Sequence, residues 1–286
     1  MKARIGNAHF LDTLTSPRDR YFAALELITA QGTAINTTIT GINAVAGDSL
    51  AVRNTPDNSK PAKILQVWCD MQAVGTIRLR SPKFHDNVQG VRLDTLVSDP
   101  RPLLPWGFPI SVYGGDVITV EAAGSATAGD IETVCLLLLY DSLPGVNVQF
   151  LTPEQVFGRM VNMFTVENTL ATGTAGGYSG SEAINAEFDQ WHAGSQYALL
   201  GYTVDAECAA VGWRGGDTGN LRVGGPGDET EREMTADWFV RLSRSFGMPL
   251  IPVFNADNKA GITVDAVQDE NGTDVTLTSI FAELRK

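Results

Sequence analysis

The sequence predicts a mainly β protein, built as a tandem duplication of two antiparallel jelly-roll or β-sandwich domains, each preceded by a short helix. Three observations predict this fold class. Val, Thr and Ile recur in short runs, and frequent Gly and Pro residues form turn clusters between them. Short phrases of the first half return in the same order about 140 residues later. The two helical patterns stand before the strands rather than between them, which disfavours a parallel α/β sheet.

The first predicted element is a helix within "TSPRDRYFAALELITAQG". Ser16 is the expected N-cap, Pro17 takes the first helical position and Asp19 is the capping-box partner. The apolar stripe and the terminating glycine are Tyr21, Leu25, Ile28 and Gly32.

The second predicted helix, "LTPEQVFGRMVNMF", follows the same rules in the middle of the chain. Thr152 is the expected N-cap, Pro153 follows it, and Gln155 is the capping-box partner. The apolar face consists of Val156, Phe157, Met160, Val161 and Phe164.

Short, closely spaced strands are predicted between these helices. Turn clusters such as "TPDNSKP", "SDPRP" and "YGGD" separate them. About eight strands within one half, without intervening helices, are typical of a sandwich or jelly roll. The candidates are Ile35–Ile42, Ser49–Arg53, Lys63–Met71, Val74–Leu79, Val88–Leu93, Ile110–Tyr113, Val117–Glu121 and Val134–Tyr140.

The repeated phrases keep one order in both halves. "GINA" is echoed by "AINA", "QAVGTIR" by "AAVGWR", and "GFPI" at Gly107 by "GMPL" at Gly247; two "ITV" strands follow. Each half ends on an apolar strand, "TVCLLLLY" in the first and "DVTLTSIF" in the second. A shared order at nearly constant separation predicts a tandem duplication, with domains at residues 1–146 and 147–286.

Composition and charge exclude several classes of protein. A hydrophobic content of 43% with 19% charged residues is that of a globular protein. The net charge of −12 argues against non-specific nucleic-acid binding, and no specific nucleic-acid recognition is predicted. The N-terminus lacks the apolar core of a signal peptide, so we expect synthesis in the cytoplasm without secretion through such a signal. Cys69, Cys135 and Cys208 are expected to be small buried hydrophobes in a reduced protein.

No catalytic motif stands out, and no cofactor or metal is predicted. "GTAGGYSG" lacks the lysine of a phosphate-binding loop, and "GYSGS" misses the spacing of a nucleophile elbow. His9, His85 and His192 show no metal-ligand spacing. "DENGTD" and "NADNKAG" are expected to be turns because they lack the spacing of a Ca²⁺ loop.

Two carboxylate pairs are the only candidates for general acid and base chemistry. Asp205 and Glu207 are two residues apart, so on a strand they would share a face. Glu121 and Asp265 occupy equivalent places in the two predicted repeats. Such pairs are the machinery of glycoside hydrolases. Solvated strand faces account for the same residues, and a non-enzymatic protein is the favoured interpretation.

The charge layout predicts contact surfaces. A basic stretch lies in one repeat and an acidic stretch in the other, so opposite charges of two subunits are expected to meet. Arginine predominates in the basic stretch and suits paired hydrogen bonds to carboxylates. The candidates for a subunit interface are Arg78, Arg80, Lys83 and Arg92 in the basic stretch, and Asp228, Glu229, Glu231 and Glu233 in the acidic stretch.

With two jelly-roll-like halves and no catalytic motif, the chain resembles the double jelly-roll major capsid proteins of tailless icosahedral viruses, the group of tectiviruses, corticoviruses and adenoviruses. The resemblance rests on architecture and carries over no individual residue. It implies a homotrimer whose six jelly rolls form a pseudo-hexagonal tile, self-assembly into a shell, and localisation in the virion. Other virion proteins, an internal membrane or the genome are the further partners that it implies.

Two other functions remain open from the sequence. Some glycoside hydrolases also resemble trimeric double jelly rolls, with carboxylates at subunit interfaces. A carbohydrate-binding β-sandwich would use an exposed aromatic platform, for which Trp106, Trp191 and Trp213 are the candidates. "PWGFP" is expected to pack its tryptophan beneath a loop instead.

Overall fold

The structure is a computed structural model that describes part of the chain. The described residues are 22–31, 45–55, 61–72, 75–81, 90–95, 100–123, 131–141, 143, 145–171, 173, 176–184, 191–229, 231–268 and 274–285. Within them the chain forms strands, three short α-helices and one 3-10 turn at Ala256–Gly261.

Eight strands belong to the first half of the chain. They are β1 (Phe22–Gln31), β2 (Val45–Ala51), β3 (Ala62–Asp70), β4 (Gly75–Arg80), β5 (Val91–Thr95), β6 (Ile110–Val112), β7 (Val117–Ala123) and β8 (Ile131–Tyr140). These strands overlap seven of the eight predicted ones, and the eighth, Ile35–Ile42, lies outside the described residues.

The second half adds nine strands and the helices. The strands are β9 (Gln149–Leu151), β10 (Met160–Leu170), β11 (Glu182–Ala183), β12 (Gln196–Val204), β13 (Cys208–Arg214), β14 (Val223–Gly227), β15 (Ile251–Asn255), β16 (Thr263–Val267) and β17 (Val275–Leu284). The helices are α1 (Pro153–Arg159), α2 (Arg232–Ala236) and α3 (Trp238–Phe246).

Four sheets arrange these strands as jelly rolls. The first half forms the orders β1-β8-β3-β6 and β2-β7-β4-β5, and the second half forms β10-β17-β12-β15-β9 and β11-β16-β13-β14. Leaving β9 aside, the two halves therefore share one strand order, and each has two four-stranded sheets of jelly-roll type. The strand pairings are antiparallel. The predicted mainly β fold class, with antiparallel sandwich or jelly-roll sheets, is confirmed.

Several repeated phrases fall on equivalent elements. The "GFPI" and "GMPL" phrases precede β6 and β15, and their glycines, Gly107 and Gly247, both adopt a left-handed backbone with φ of 82° and 65°. Both phrases therefore carry glycine where a side chain would be strained. The predicted boundary between residues 146 and 147 stays a prediction that this repetition supports.

The predicted first helix is wrong where the structure describes it. Phe22–Gln31 is strand β1, which pairs with β8 along its whole length, from Phe22 opposite Tyr140 to Gln31 opposite Ile131. Successive residues Phe22, Ala23, Ala24 and Leu25 are all buried, so both faces of the segment are covered. A strand covered on both faces needs a continuous apolar run, and such a run contains the helical spacing as well. Ser16, Pro17 and Asp19 lie outside the described residues.

The predicted second helix is confirmed only in its first turns. The Thr152 hydroxyl accepts from the Gln155 amide, and the Gln155 side chain accepts from the Thr152 amide, which completes the capping box. The helix α1 ends at Arg159, and the chain continues as β10. The predicted apolar face is largely outside the core, because Val156 is buried whereas Phe157 is 80% and Val161 55% exposed.

Candidate assembly interface

The two halves pack through unlike sheet faces. The outer face of the β1-β8-β3-β6 sheet lies against β13 and β14 of the second half. The Trp68 indole of β3 donates to the Ala209 carbonyl of β13 at 2.9 Å, and the Leu25 amide of β1 donates to the Arg222 carbonyl at 2.8 Å. We call this contact the in-chain joint.

Apolar side chains dominate the first half's side of the in-chain joint. Leu25 stands opposite Leu137, and Trp68 stands opposite Cys135, so these four side chains share the outward face of their sheet. All four are buried. Burying such side chains contributes about 1.5–3 kcal/mol each, so the joint is a permanent part of the fold.

The helices α2 and α3 lie beside the in-chain joint. They pack against β12, β14 and β15 of the second half. The Trp238 indole at the start of α3 donates to the Gly224 carbonyl and lies edge-to-face on Trp68 and on Trp106. These rings connect the two halves through edge-to-face aromatic contacts.

In the first half, the sheet β2-β7-β4-β5 is equivalent to the second-half sheet β11-β16-β13-β14, which forms part of the in-chain joint. The outward face of this first-half sheet is polar. We call it the β4 face. Strand alternation turns Ile77, Leu79 and Val120 into the core and the polar residues outward. The β4 face consists of Thr76, Arg78, Arg80, Arg92, Asp94, Thr119 and Glu121.

A buried carboxylate holds two arginines on the β4 face. Arg78 and Glu121 are direct cross-strand neighbours joined by an ion pair, and Arg80 binds the other Glu121 oxygen at 2.5 Å. Arg78 is 3% exposed and Glu121 4% exposed. A carboxylate bound by two guanidinium groups forms charge-assisted hydrogen bonds that fix the positions of all three side chains. The acid or base role considered for Glu121 stays a prediction.

The second half repeats this arrangement with one exchanged partner. Asp265 is 0% exposed and pairs with Arg214 at 3.3 Å, while Arg222 binds both its oxygens at 2.8 Å. The Arg222 guanidinium also stacks on the Tyr178 ring at 3.4 Å. Desolvation opposes the charge of Arg222, yet its ion pair with Asp265 and the charges around it raise its pKa.

In the second half, the strands β10 and β17 are equivalent to β1 and β8, whose outward face lies in the in-chain joint. The equivalent outward face of β10 and β17 carries exposed and half-buried side chains. We call it the β10 face. Outward side chains are exposed on β10 and half-buried on β17, in contrast to the buried outward side chains of Leu25 on β1 and Leu137 on β8. The β10 face consists of Met163, Thr165, Glu167, Thr169, Thr276, Thr278 and Ile280.

The predicted basic interface residues divide into internal and exposed groups. Arg78 and Arg80 are used within the chain by Glu121, whereas Arg92 is exposed on β5. Lys83 lies outside the described residues. Arg92 is therefore the member of the predicted basic stretch that the structure leaves open to another molecule.

The predicted acidic residues lie at the boundary between the halves. Asp228 is buried and Glu231 half-buried, and both face Arg101 of the first half, at 3.9 Å and 3.1 Å. Glu229 is half-buried and Glu233 exposed. Part of the acidic stretch therefore meets a basic residue of its own chain, and that residue, Arg101, lies outside the predicted basic stretch.

The remaining candidate groups are the Asp205 and Glu207 pair, the three tryptophans and the histidines. Asp205 lies in the turn after β12, where its carboxylate accepts from the Thr276 amide at 2.6 Å, and Glu207 is half-buried nearby. Trp213 and Trp191 are buried, and Trp106 is half-buried against Trp238. His192 lies 3.0 Å from Glu283 on the surface, and His9 and His85 lie outside the described residues.

The described residues show no cluster of His, Cys, Asp or Glu able to hold a metal ion. Among them no helix has the length and apolar character needed to cross a membrane. The three cysteines are buried, and burial raises the pKa of the Cys135 thiol well above its usual value.

Sequence reasoning missed Arg222, Arg101 and Glu167. Arg222 carried no signal because its carboxylate lies 43 residues away and on another strand. Glu167 lies in β10, and the sequence predicts a helix for the first residues of β10. A period-two alternation from Met163 to Thr169 is the pattern that would have exposed it.

No protein-family model matches the chain, and no curated protein matches its sequence. Among solved structures, the PBSX exported protein XepA matches with a TM-score of 0.26 and 12% identity, over 90% of this chain and 86% of that chain. The STIV major capsid protein matches with a TM-score of 0.21 and 6% identity, over 91% of this chain and 97% of that chain.

Proposed function

We propose that the protein is a structural subunit of a viral shell, a major capsid protein that works as a homotrimeric, pseudo-hexagonal tile and resides in the virion. The observation that carries this proposal is the in-chain joint between two jelly rolls of one strand order. Because unlike faces meet there, the described residues leave a second face of each kind, the β4 face with the exposed Arg92 and the β10 face with the exposed Glu167. A chain built in this way is suited to associate with copies of itself.

Burial and charge support a structural role over the alternatives. The carboxylates Glu121 and Asp265 are bound by arginines, and the tryptophans considered for a sugar platform are buried or packed on another indole. No observation on the described residues favours the glycoside hydrolase or the carbohydrate-binding module. We therefore propose that the protein is not an enzyme.

Solution mass and imaging test the proposal together. Light scattering behind size exclusion is expected to give a mass of three chains at micromolar concentration, because permanent interfaces of this kind bury about 2,000 Å² or more. Electron microscopy of the same fractions is expected to show hexagonal particles, with sheets or shells at higher concentration. A chain that stays monomeric, or one that turns over members of a glycoside panel, would overturn the proposal.

A further inference from the structure

We infer that the β4 face of one copy receives the β10 face of a second copy, with Arg92 of one chain opposite Glu167 of the other. This inference rests on the proposed self-assembly and names the surface and the partner that produce it. The second-half residues of the in-chain joint can be matched one by one with those of the β4 face.

The cross-strand registers show which residues of the second-half sheet β11-β16-β13-β14 correspond to which residues of the first-half sheet β2-β7-β4-β5. Thr119 and Thr263, which belong to the two "ITV" phrases, stand opposite Arg80 and Arg214 respectively. One pair further along each strand, Leu79 stands opposite Val91, and Trp213 stands opposite Val223. Val91 of β5 is therefore the counterpart of Val223 of β14. The next residues, Arg92 and Gly224, are counterparts too.

Gly224 is the place where β1 enters the in-chain joint. A Cβ atom on Gly224 would lie 2.1 Å from the Val211 carbonyl oxygen of the neighbouring strand β13 and 2.8 Å from Cδ2 of Leu25, so the glycine is required by β13 first and also leaves room for the leucine. On the β4 face the same place carries the exposed guanidinium of Arg92. A partner strand that arrives there must offer a group that pairs with a cation.

The strand β10 holds the position of β1 in the second half, because each begins its sheet next to the last strand of its half. The outward side chains of β10 are Met163, Thr165, Glu167 and Thr169, and Glu167 is the charged one among them. If a second copy repeats the in-chain joint, β10 meets β5 where β1 meets β14. The β-bulges of β3 and β12 make Leu137 and Ile280 counterparts, so Thr165 is the counterpart of Leu25. Glu167, two residues further along the same face of β10, then supplies the anion that Arg92 requires.

The chemistry of the two contacts differs in a way that fits their roles. Leu25 against Gly224 is an apolar, buried contact that belongs to folding. Arg92 against Glu167, among the threonines of the β10 face, is a polar contact between surfaces that are also stable in water. Such a contact sets orientation and association rate more than total affinity.

Charge reversal tests the inferred pair directly. Arg92→Glu and Glu167→Arg are each expected to raise the concentration at which half of the trimers dissociate by about tenfold or more, since each places like charges together. The double variant is expected to return to within about threefold of the wild-type value, because it restores an opposite pair. Arg244→Glu, an exposed charge on α3 outside both faces and outside the predicted interface stretches, is the matched control and should leave dissociation unchanged.

Urea unfolding of each variant, followed by circular dichroism, shows that the chain still folds. Arg92→Cys combined with Glu167→Cys adds a second readout: mild oxidation is expected to link chains into dimers and trimers, while the buried native cysteines stay reduced.

The two proposals fail in different ways. Trimers that tolerate both single reversals, or a double variant that stays dissociated, overturn the Arg92–Glu167 contact and leave the proposed function standing. A wild-type chain that remains monomeric overturns both.

Discussion

At the scale of single residues, each half holds one buried carboxylate between two arginines. Glu121 and Asp265 occupy matching register positions opposite Arg78 and Gly212. In the second half the Arg222 side chain fills the space over Gly212, since a Cβ there would lie 3.1–3.3 Å from its methylene carbons. The same charge group is therefore built with an arginine from a different part of the chain.

We predict that Arg78→Met lowers the free energy of unfolding by about 3 kcal/mol, because it leaves the buried Glu121 with one of its two cations. Arg92→Met, on the same face but exposed, is expected to change this free energy by less than about 0.5 kcal/mol. Urea titrations of the two variants below the concentration of association measure both values. Equal effects at the two positions would show that Arg78 is a surface charge after all.

The equivalence of Glu121 and Asp265 could be predicted from the repeated "ITV" phrases alone. Their function could not, because ion-pair partners are set by strand register, which the sequence states only indirectly. The "AVG" echo even suggests a false register: it matches Arg214 with Ile77, whereas the cross-strand partners match Arg214 with Arg80.

At the scale of elements, β1 shows how burial overrides local preference. The segment "FAALELITAQ" combines good helix formers with an apolar spacing that fits a helix. It forms a strand because β8 offers a ladder over ten residues and because the second half covers its outer face. Sequence periodicity cannot show that a segment is covered on both faces, since the covering residues lie far away in the chain.

We predict that Leu25→Ala destabilises the folded chain by about 2–4 kcal/mol, since it removes a buried side chain from the in-chain joint. Thr278→Ala, on the uncovered β10 face, is the matched control and should cost less than about 0.5 kcal/mol. Thermal or urea unfolding of the monomeric chain gives both values. A small loss for Leu25→Ala would mean that the outer face of β1 is not covered.

At the scale of the whole molecule, the repeat of one strand order could be anticipated from the ordered phrases and the strand count. The side-by-side packing of the halves could not. The joint depends on which sheet face is apolar, and the decisive residues, such as Trp68 and Leu25, lie on strands that are buried on both sides. A strand buried on both sides gives no alternation from which its outward face could be identified.

We predict that the two halves unfold together in one cooperative transition, since the in-chain joint buries part of both cores. Tryptophan fluorescence and far-ultraviolet circular dichroism should give coincident urea curves. The fragment 1–146 alone is expected to be insoluble, because it would expose Leu25, Trp68 and Leu137, and to become soluble when produced with 147–286. Two separated transitions would indicate halves that are stable on their own.

Because the in-chain joint uses unlike faces, the chain has two different ends, the β4 face and the β10 face. If neighbours repeat it, the rotation that relates the two halves is applied again at every step, and the number of chains in a closed ring is already set by the angle inside one chain. A turn of about 60° per jelly roll closes after three chains, and a tilt along the axis would produce an open spiral instead. A substitution in the core of the joint, far from any subunit contact, could thereby change a closed particle into a filament.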